Sequence, residues 1–94
     1  MIRGDGGTLR LEGAVTHANA RRLLEEGRRL LANRDMEIDL GAVAETDSCI
    51  VGLLLDWRRA CAARGRRLAV ANAPAPVQAL ARVYGVHELL GLDG

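Results

Sequence analysis

Two polar residues that could take part in chemistry stand directly before the longest apolar run of the chain. Asp47 and Ser48 precede Cys49 to Leu55 in the stretch ETDSCIVGLLLDWRR. An acid here is typical of a helix N-cap, and the pair then indicates only that a helix begins. A hydroxyl at a helix N-terminus also suits a phosphoryl group, because free N–H groups and the helix dipole stabilise its charge of about −1.5 to −2. Ser48 is therefore a candidate regulatory, phosphate-accepting position.

The other reactive residue types are scattered. His17 and His87 are isolated, with no cluster of carboxylates or thiols beside either, so we expect neither to be a metal ligand or a catalytic base. Cys49 and Cys61 fall on one predicted helix, about 18 Å apart, and cannot form a disulfide with each other. Their spacing matches no zinc motif. The sequence thus predicts no catalytic residue, no metal and no cofactor. The cysteine usage predicts a protein of a reducing cytosol.

The composition of the 94 residues predicts one soluble domain with a single core. Apolar residues make up 49% of the chain, which excludes a disordered protein. The 13 basic residues, all arginine, nearly balance 12 acidic ones, and with one Trp and one Tyr the chain is not expected to bind nucleic acid. Residues 1–7 are predicted to be a flexible lead-in without a signal peptide. No segment reaches the roughly 20 apolar residues of a membrane span.

The first half of the chain predicts a strand, a helix and a second strand. Thr8 to Gly13 alternates weakly, as a short strand does. Thr16 is a plausible N-cap for the helix that follows, and Gly27 within that helix indicates close packing. The apolar stripe of this helix comprises Ala20, Leu23, Leu24, Gly27, Leu30 and Leu31. In the second strand, MEIDLGAV, one face carries Met36, Ile38 and Leu40, and the other carries Glu37 and Asp39.

The second half repeats the alternation of helix and strand. The stretch from Ser48 to Arg64 predicts a helix, and RRLAVANA predicts a strand covered on both faces because it is nearly all apolar. NAPAPVQALARVYG predicts a third helix, and VHELLGL a short helical tail. The order predicts an α/β fold with a small, mainly parallel sheet and helices packed alongside.

The helix predicted over Ser48 to Arg64 carries more apolar surface than one sheet can cover. One sector collects Ile50, Leu53, Leu54, Trp57, Ala60 and Cys61. A separate strip, about 100° away, consists of Val51, Leu55 and Ala62, and the side expected to meet water consists of Gly52, Asp56, Arg59 and Ala63. The strip either packs on a neighbouring helix of the same domain or docks against another protein. In the second case Val51, Leu55 and the nearby Arg58 would form the centre of the interface.

Several stretches resemble a known family. IDLGAV, AETDS, the apolar helix, RLAVANA and ALARVYGVHELLG together look like a stand-alone STAS domain, and the similarity spans nearly the whole chain. Within that family, DSCIVGLLLDWRRACAARGRRL and the ending ALARVYGVHELL look most like MlaB proteins. The resemblance implies the STAS fold shared with bacterial anti-sigma factor antagonists such as SpoIIAA.

The MlaB resemblance also implies a function. It suggests a non-catalytic cytoplasmic subunit that binds and supports the ATPase (MlaF-like) of an MCE-type phospholipid ABC transporter, which maintains lipid asymmetry. Such a subunit is peripheral to the inner membrane and works with a permease and an MCE protein. Asp47 and Ser48 match the acid and hydroxyl of the family motif, so the expected partner-binding residues are Asp47, Ser48, Val51, Leu55 and Arg58.

Two other functions stay open at this point. In the sigma-factor antagonists the hydroxyl matched by Ser48 is phosphorylated, so the chain could be an antagonist switched at Ser48. In that motif Cys49 and Ile50 replace a Ser and a Gly of the antagonists, and the bulky Ile50 disfavours docking into a kinase. The third possibility is a lone domain whose spare apolar strip forms a homodimer.

Overall fold

Within residues 2–31 and 35–92, which the computed structural model describes, the predicted alternation of strands and helices is found, with one further strand before it. The strands are β1 (Ile2–Asp5), β2 (Thr8–Val15), β3 (Met36–Thr46) and β4 (Leu68–Ala71). The helices are α1 (Ala20–Leu30), α2 (Cys49–Ala63), α3 (Ala75–Val83) and α4 (His87–Leu90). The α/β class is confirmed, and no helix in these ranges is long and apolar enough to cross a membrane.

The strands form one mixed sheet in the order β1-β2-β3-β4. β2, β3 and β4 are parallel, whereas β1 runs antiparallel to β2. The two antiparallel strands are joined at Gly6-Gly7, and φ of +60° at Gly6 suits a glycine in such a tight turn. The predicted flexible lead-in is therefore wrong for residues 2–5, while Met1 lies outside the described residues.

One face of the sheet is buried beneath the helices and the other is open. Leu9 on β2 pairs with Ile38 on β3, and both are fully buried, whereas Arg10 and Glu37 on the opposite face are exposed. The predicted buried face of β3 is confirmed by Met36, Ile38 and Leu40. The expectation that β4 is covered on both faces is wrong, because β4 is an edge strand and Ala69 is exposed.

Helix α1 begins later than predicted. The side chain of Asn19 accepts a hydrogen bond from the Thr16 N–H (3.0 Å) and donates one to the Ala14 carbonyl (2.8 Å). These contacts hold residues 16–19 in a turn, so the Thr16 N-cap prediction is wrong and the helix starts at Ala20. The buried stripe is also narrower than predicted, since Leu30 is 46% exposed. The stretch THANARRLLEEGRRLLANR predicts a helix that extends to Arg34, but residues 32–34 lie outside the described residues.

A tight helix contact in the core joins Gly27 of α1 to Trp57 of α2. A Cβ atom added to Gly27 would lie 2.3 Å from Cε2 of the Trp57 ring. Trp57 is fully buried, and its Nε1–H donates a hydrogen bond to the Leu24 carbonyl (3.0 Å). The close packing predicted at Gly27 is therefore confirmed, and it fixes α2 against α1.

On the open face of the sheet, Asp39 ties three segments together. Its Oδ1 accepts hydrogen bonds from the Gly41 N–H (2.8 Å) and from Nδ2 of Asn72 (3.2 Å), and its Oδ2 lies 3.6 Å from Nη2 of Arg10. Asn72 has φ of +56°, a left-handed conformation that asparagine tolerates. These hydrogen bonds, with the Arg10 charge, lower the pKa of Asp39 below its ordinary value.

We expect Asp39 to make the fold sensitive to acid. Because its pKa is lowered on folding, its contribution to stability is present above the unfolded pKa of about 3.9 and is lost as the pH falls through the folded value. The free energy of unfolding, measured with urea between neutral pH and pH ~3, should fall less steeply with acid for Asp39→Asn than for the wild type. Glu37→Gln, an exposed position on the same strand, is the control and should keep the wild-type slope. Equal slopes for Asp39→Asn and the wild type would contradict the assignment.

Candidate partner-binding site at the start of α2

The parallel pairing of β2 and β3 places the start of α2 beside the loop that follows β2. Thr46, the last residue of β3, pairs with Val15, the last residue of β2, and its hydroxyl donates a hydrogen bond to the Val15 carbonyl (2.8 Å). The segments that follow β2 and β3 leave the sheet at the same edge, because the two strands run in the same direction. Asp47 and His17 are therefore neighbours although 30 residues separate them.

The Asp47 carboxylate organises this edge. Its Oδ1 accepts a hydrogen bond from the Cys49 N–H (3.0 Å), and its Oδ2 accepts one from the His17 N–H (3.0 Å). Hydrogen bonding from the Cys49 side chain and from these two N–H groups lowers the pKa of Asp47 to about 2. Ser48 occupies the N-cap position, where Asp47 was predicted, but its hydroxyl makes no capping hydrogen bond. Asp47 nevertheless stabilises the helix start from one residue earlier.

Ser48 is exposed, yet its surroundings differ from those predicted for a phosphate site. The Cys49 N–H is bonded to the Asp47 carboxylate, the Ile50 N–H to the Asp47 carbonyl (3.3 Å) and the Val51 N–H to the Ser48 carbonyl (3.3 Å). The prediction of free N–H groups at this helix start is therefore wrong. A phosphoryl group on Ser48 would also lie beside the Asp47 negative charge, which opposes it.

An apolar groove runs between α2 and the turn that joins α3 to α4. Its volume is about 380 Å³, and it is lined by Ser48, Val51, Gly52, Leu55, Tyr84 and Val86. Gly52 leaves open space, because an added Cβ would meet no atom within 4 Å. Tyr84 is 56% exposed and Val83 beside it 79% exposed, so the groove opens onto an apolar surface.

This groove corrects the predicted docking strip. Val51 is only 4% exposed and Leu55 is half-buried, whereas Ala62 is exposed, so the chain covers the strip at Val51 and Leu55 but not at Ala62. The cover comes from the turn at Gly85, where φ of +71° reverses the chain and brings Tyr84 and Val86 to α2. Packing on neighbouring helices of the same domain therefore holds for Val51 and much of Leu55, whereas docking against another protein stays a prediction.

The structure separates the remaining predicted site residues. Ser48, Val51 and Leu55 line the groove, whereas Asp47 is not among its lining residues and Arg58 is exposed one turn beyond Leu55. Sequence reasoning missed Tyr84 and Val86, which lie about 30 residues further along the chain. The expected exposure of Gly52 is confirmed, but its place in a groove was not predicted. The glycine between Tyr84 and Val86 was the available signal, since it marks a reversal of the chain.

The sequence suggested that His17 is isolated, and the structure shows that it is not. A ring nitrogen of His17, a carboxylate oxygen of Asp47 and the Sγ of Cys49 lie within 4.8 Å of one another. Burial and the neighbouring Asp47 carboxylate raise the pKa of the Cys49 thiol to about 12, so it is protonated at neutral pH and is not a nucleophile. Cys61 is buried on the same helix, and its Sγ lies 3.9 Å from the Leu31 carbonyl.

Comparison with known proteins decides the family. The family described as MlaB, STAS domain, matches residues 2–91 of the chain. The chain belongs to this family. The resemblance predicted from the sequence is thereby confirmed, and no curated protein matches the chain in sequence.

Solved structures agree with the STAS fold of this MlaB-family chain. The anti-sigma factor antagonist SpoIIAA in its unphosphorylated form matches with a TM-score of 0.77 and 18% identity, over 94% of this chain and 82% of that one. The crystal structure of Mglu matches with a TM-score of 0.63 and 21% identity, over 82% of this chain but only 20% of that one. Identities this low describe the fold alone.

Proposed function

We propose that this STAS domain is the non-catalytic cytoplasmic subunit that binds the ATPase of an MCE-type phospholipid ABC transporter. Membership of the MlaB family supports this role. The observation that carries the proposal is the open groove between α2 and the α3–α4 turn, with an exposed hydroxyl at one end and Tyr84 on its rim. In such an assembly the chain is peripheral to the inner membrane and works beside the permease and the MCE protein.

The chemistry of the groove suits a protein partner. Interface centres are rich in apolar, Tyr and Arg side chains, and Tyr84 and Val83 present large apolar surface next to the groove. Arg82 and Arg58 are exposed on the two helices that flank it. We expect the ATPase to insert apolar side chains into the groove and to place acidic side chains against these arginines.

Co-expression with the cognate transporter subunits tests the proposal. The chain should co-purify with the ATPase, and the reconstituted transporter should hydrolyse ATP faster when the chain is present. An ATPase that assembles with its permease and hydrolyses ATP equally well without the chain would contradict the proposal. Genes for an ABC ATPase, a permease and an MCE protein beside this one would add support.

A second candidate function is that of an anti-sigma factor antagonist switched at Ser48. The exposed hydroxyl and the fold shared with SpoIIAA favour it, whereas the bonded N–H groups and the Asp47 charge oppose it. Incubation with the host's anti-sigma kinases and ATP, followed by intact mass measurement, decides the point. A phosphoryl group that is absent from Ser48→Ala would favour the antagonist. Light scattering of the isolated chain tests the homodimer, which a monomer would exclude.

A further inference from the structure

Three side chains of metal-binding type meet where the loop after β2 passes the start of α2. His17 comes from that loop, whereas Asp47 and Cys49 flank Ser48. The donor atoms, one nitrogen, one oxygen and one sulfur, lie within 4.8 Å of one another. Nitrogen, oxygen and sulfur donors together are the set that proteins use for zinc and related divalent ions.

We propose that His17, Asp47 and Cys49 bind a divalent transition metal ion, for which zinc is the best match. Ligands at about 2.0–2.3 Å from a tetrahedral zinc are roughly 3.3–3.8 Å apart. The three donors lie within 4.8 Å of one another, so they need to approach by at most about 1–1.5 Å. His17 is exposed, and its ring can turn without disturbing the core. The fourth position of such a site faces solvent and takes a water molecule.

The carboxylate of the proposed site is already held in place. Each oxygen of Asp47 accepts one main-chain N–H, at 3.0 Å in both cases, and retains a lone pair for a metal ion. Hydrogen bonds of this kind orient metal ligands and lower the cost of binding. The segments that supply the three donors are further joined by the hydrogen bond from the Thr46 hydroxyl to the Val15 carbonyl.

The charges of the site also suit a divalent cation. The Cys49 thiol has the Val15 carbonyl (4.0 Å) and the Asp47 carboxylate as acceptors. On binding, the S–H bond breaks, its proton goes to solvent and the sulfur bonds to the metal. The thiolate and the Asp47 carboxylate then supply two negative charges against two positive ones. The positive end of the α2 dipole repels the cation but stabilises the thiolate. The second effect partly offsets the first.

Metal titration of the full chain tests the proposal. Calorimetry with Zn²⁺ should give one ion per chain, and Co²⁺ should produce a thiolate-to-cobalt charge-transfer band. Because a metal ligand matters at least as much as its outer-shell partners, Cys49→Ser and His17→Ala should each weaken binding by about tenfold or more. The matched control Cys61→Ser should bind as the wild type does. Circular dichroism will verify that the variants are folded, and His17 is exposed, so its loss should not unfold the chain.

Three results would overturn the metal site. The first is no binding of Zn²⁺ at one equivalent. The second is Zn²⁺ affinity that survives unchanged in both Cys49→Ser and His17→Ala. The third is a charge-transfer band that persists in Cys49→Ser and disappears in Cys61→Ser, which would place the metal on the other thiol.

Discussion

Gly27→Val is expected to lower the free energy of unfolding by about 3 kcal/mol or more, because it overpacks the core. Even the Cβ atom would lie 2.3 Å from the Trp57 ring, and valine adds two further methyl groups. The ring has no room to retreat, since Trp57 is fully buried and hydrogen-bonded to the Leu24 carbonyl. As domains of this kind are stable by only ~5–15 kcal/mol, a loss of this size would remove between about a fifth and three fifths of the stability. Urea unfolding followed by the fluorescence of Trp57, the sole tryptophan, measures the loss.

The control for this prediction is Gly52→Ala. Gly52 is also in a helix, but an added Cβ there meets nothing within 4 Å. Alanine is favoured over glycine in helices by roughly 1 kcal/mol, so this variant should be as stable as the wild type or more stable. If Gly27→Val unfolded at the same urea concentration as Gly52→Ala, the close contact between α1 and α2 would be wrong.

Gly52→Arg is expected to weaken ATPase binding by about 30-fold or more while leaving the domain folded. The arginine side chain would extend from the open space at Gly52 into the groove lined by Leu55 and Tyr84. Loss of a central interface contact typically costs 2 kcal/mol or more, about a 30-fold weaker Kd. The variant tests the groove better than substitution of Val51, because Val51 is buried and a charge there would disrupt the core.

Ala63→Arg is the matched control for Gly52→Arg. Ala63 is exposed on the same helix. An arginine there adds the same charge about three turns, or roughly 16 Å, from the groove position. Pull-down of the cognate ATPase should be lost with Gly52→Arg and retained with Ala63→Arg. Retention by both would remove the groove as the docking site, and loss by both would indicate a general effect of charge.

Local patterns predicted much of the fold. The alternation of Met36, Ile38 and Leu40, the extent of α2 and the close approach at Gly27 are each encoded within a short stretch. Strand β1 was missed because its four residues are defined by pairing with β2 rather than by their own pattern. The start of α1 was misplaced because the Asn19 side chain favours a turn over the predicted cap.

The candidate site was only half predictable. Asp47 and Ser48 mark a helix start in any setting, so their position followed from the sequence. Tyr84 and Val86 reach α2 only after the chain has reversed at Gly85, and His17 reaches Asp47 only through strand pairing. Neither approach leaves a periodic signal, because both depend on how distant segments are arranged in three dimensions.

The two irregularities in the pairing of β2 with β3 determine where β3 ends relative to β2, and therefore where α2 begins. Between Arg10 and Ala14, β3 advances two residues more than β2 does, and no loop of appreciable length separates its end from α2. There is consequently no slack to absorb a change in strand length. Deleting one residue from 41–45 would turn every later side chain of β3 to the opposite side and draw Asp47 away from the His17 main chain. The number of residues in β3 therefore sets the position at which α2 starts.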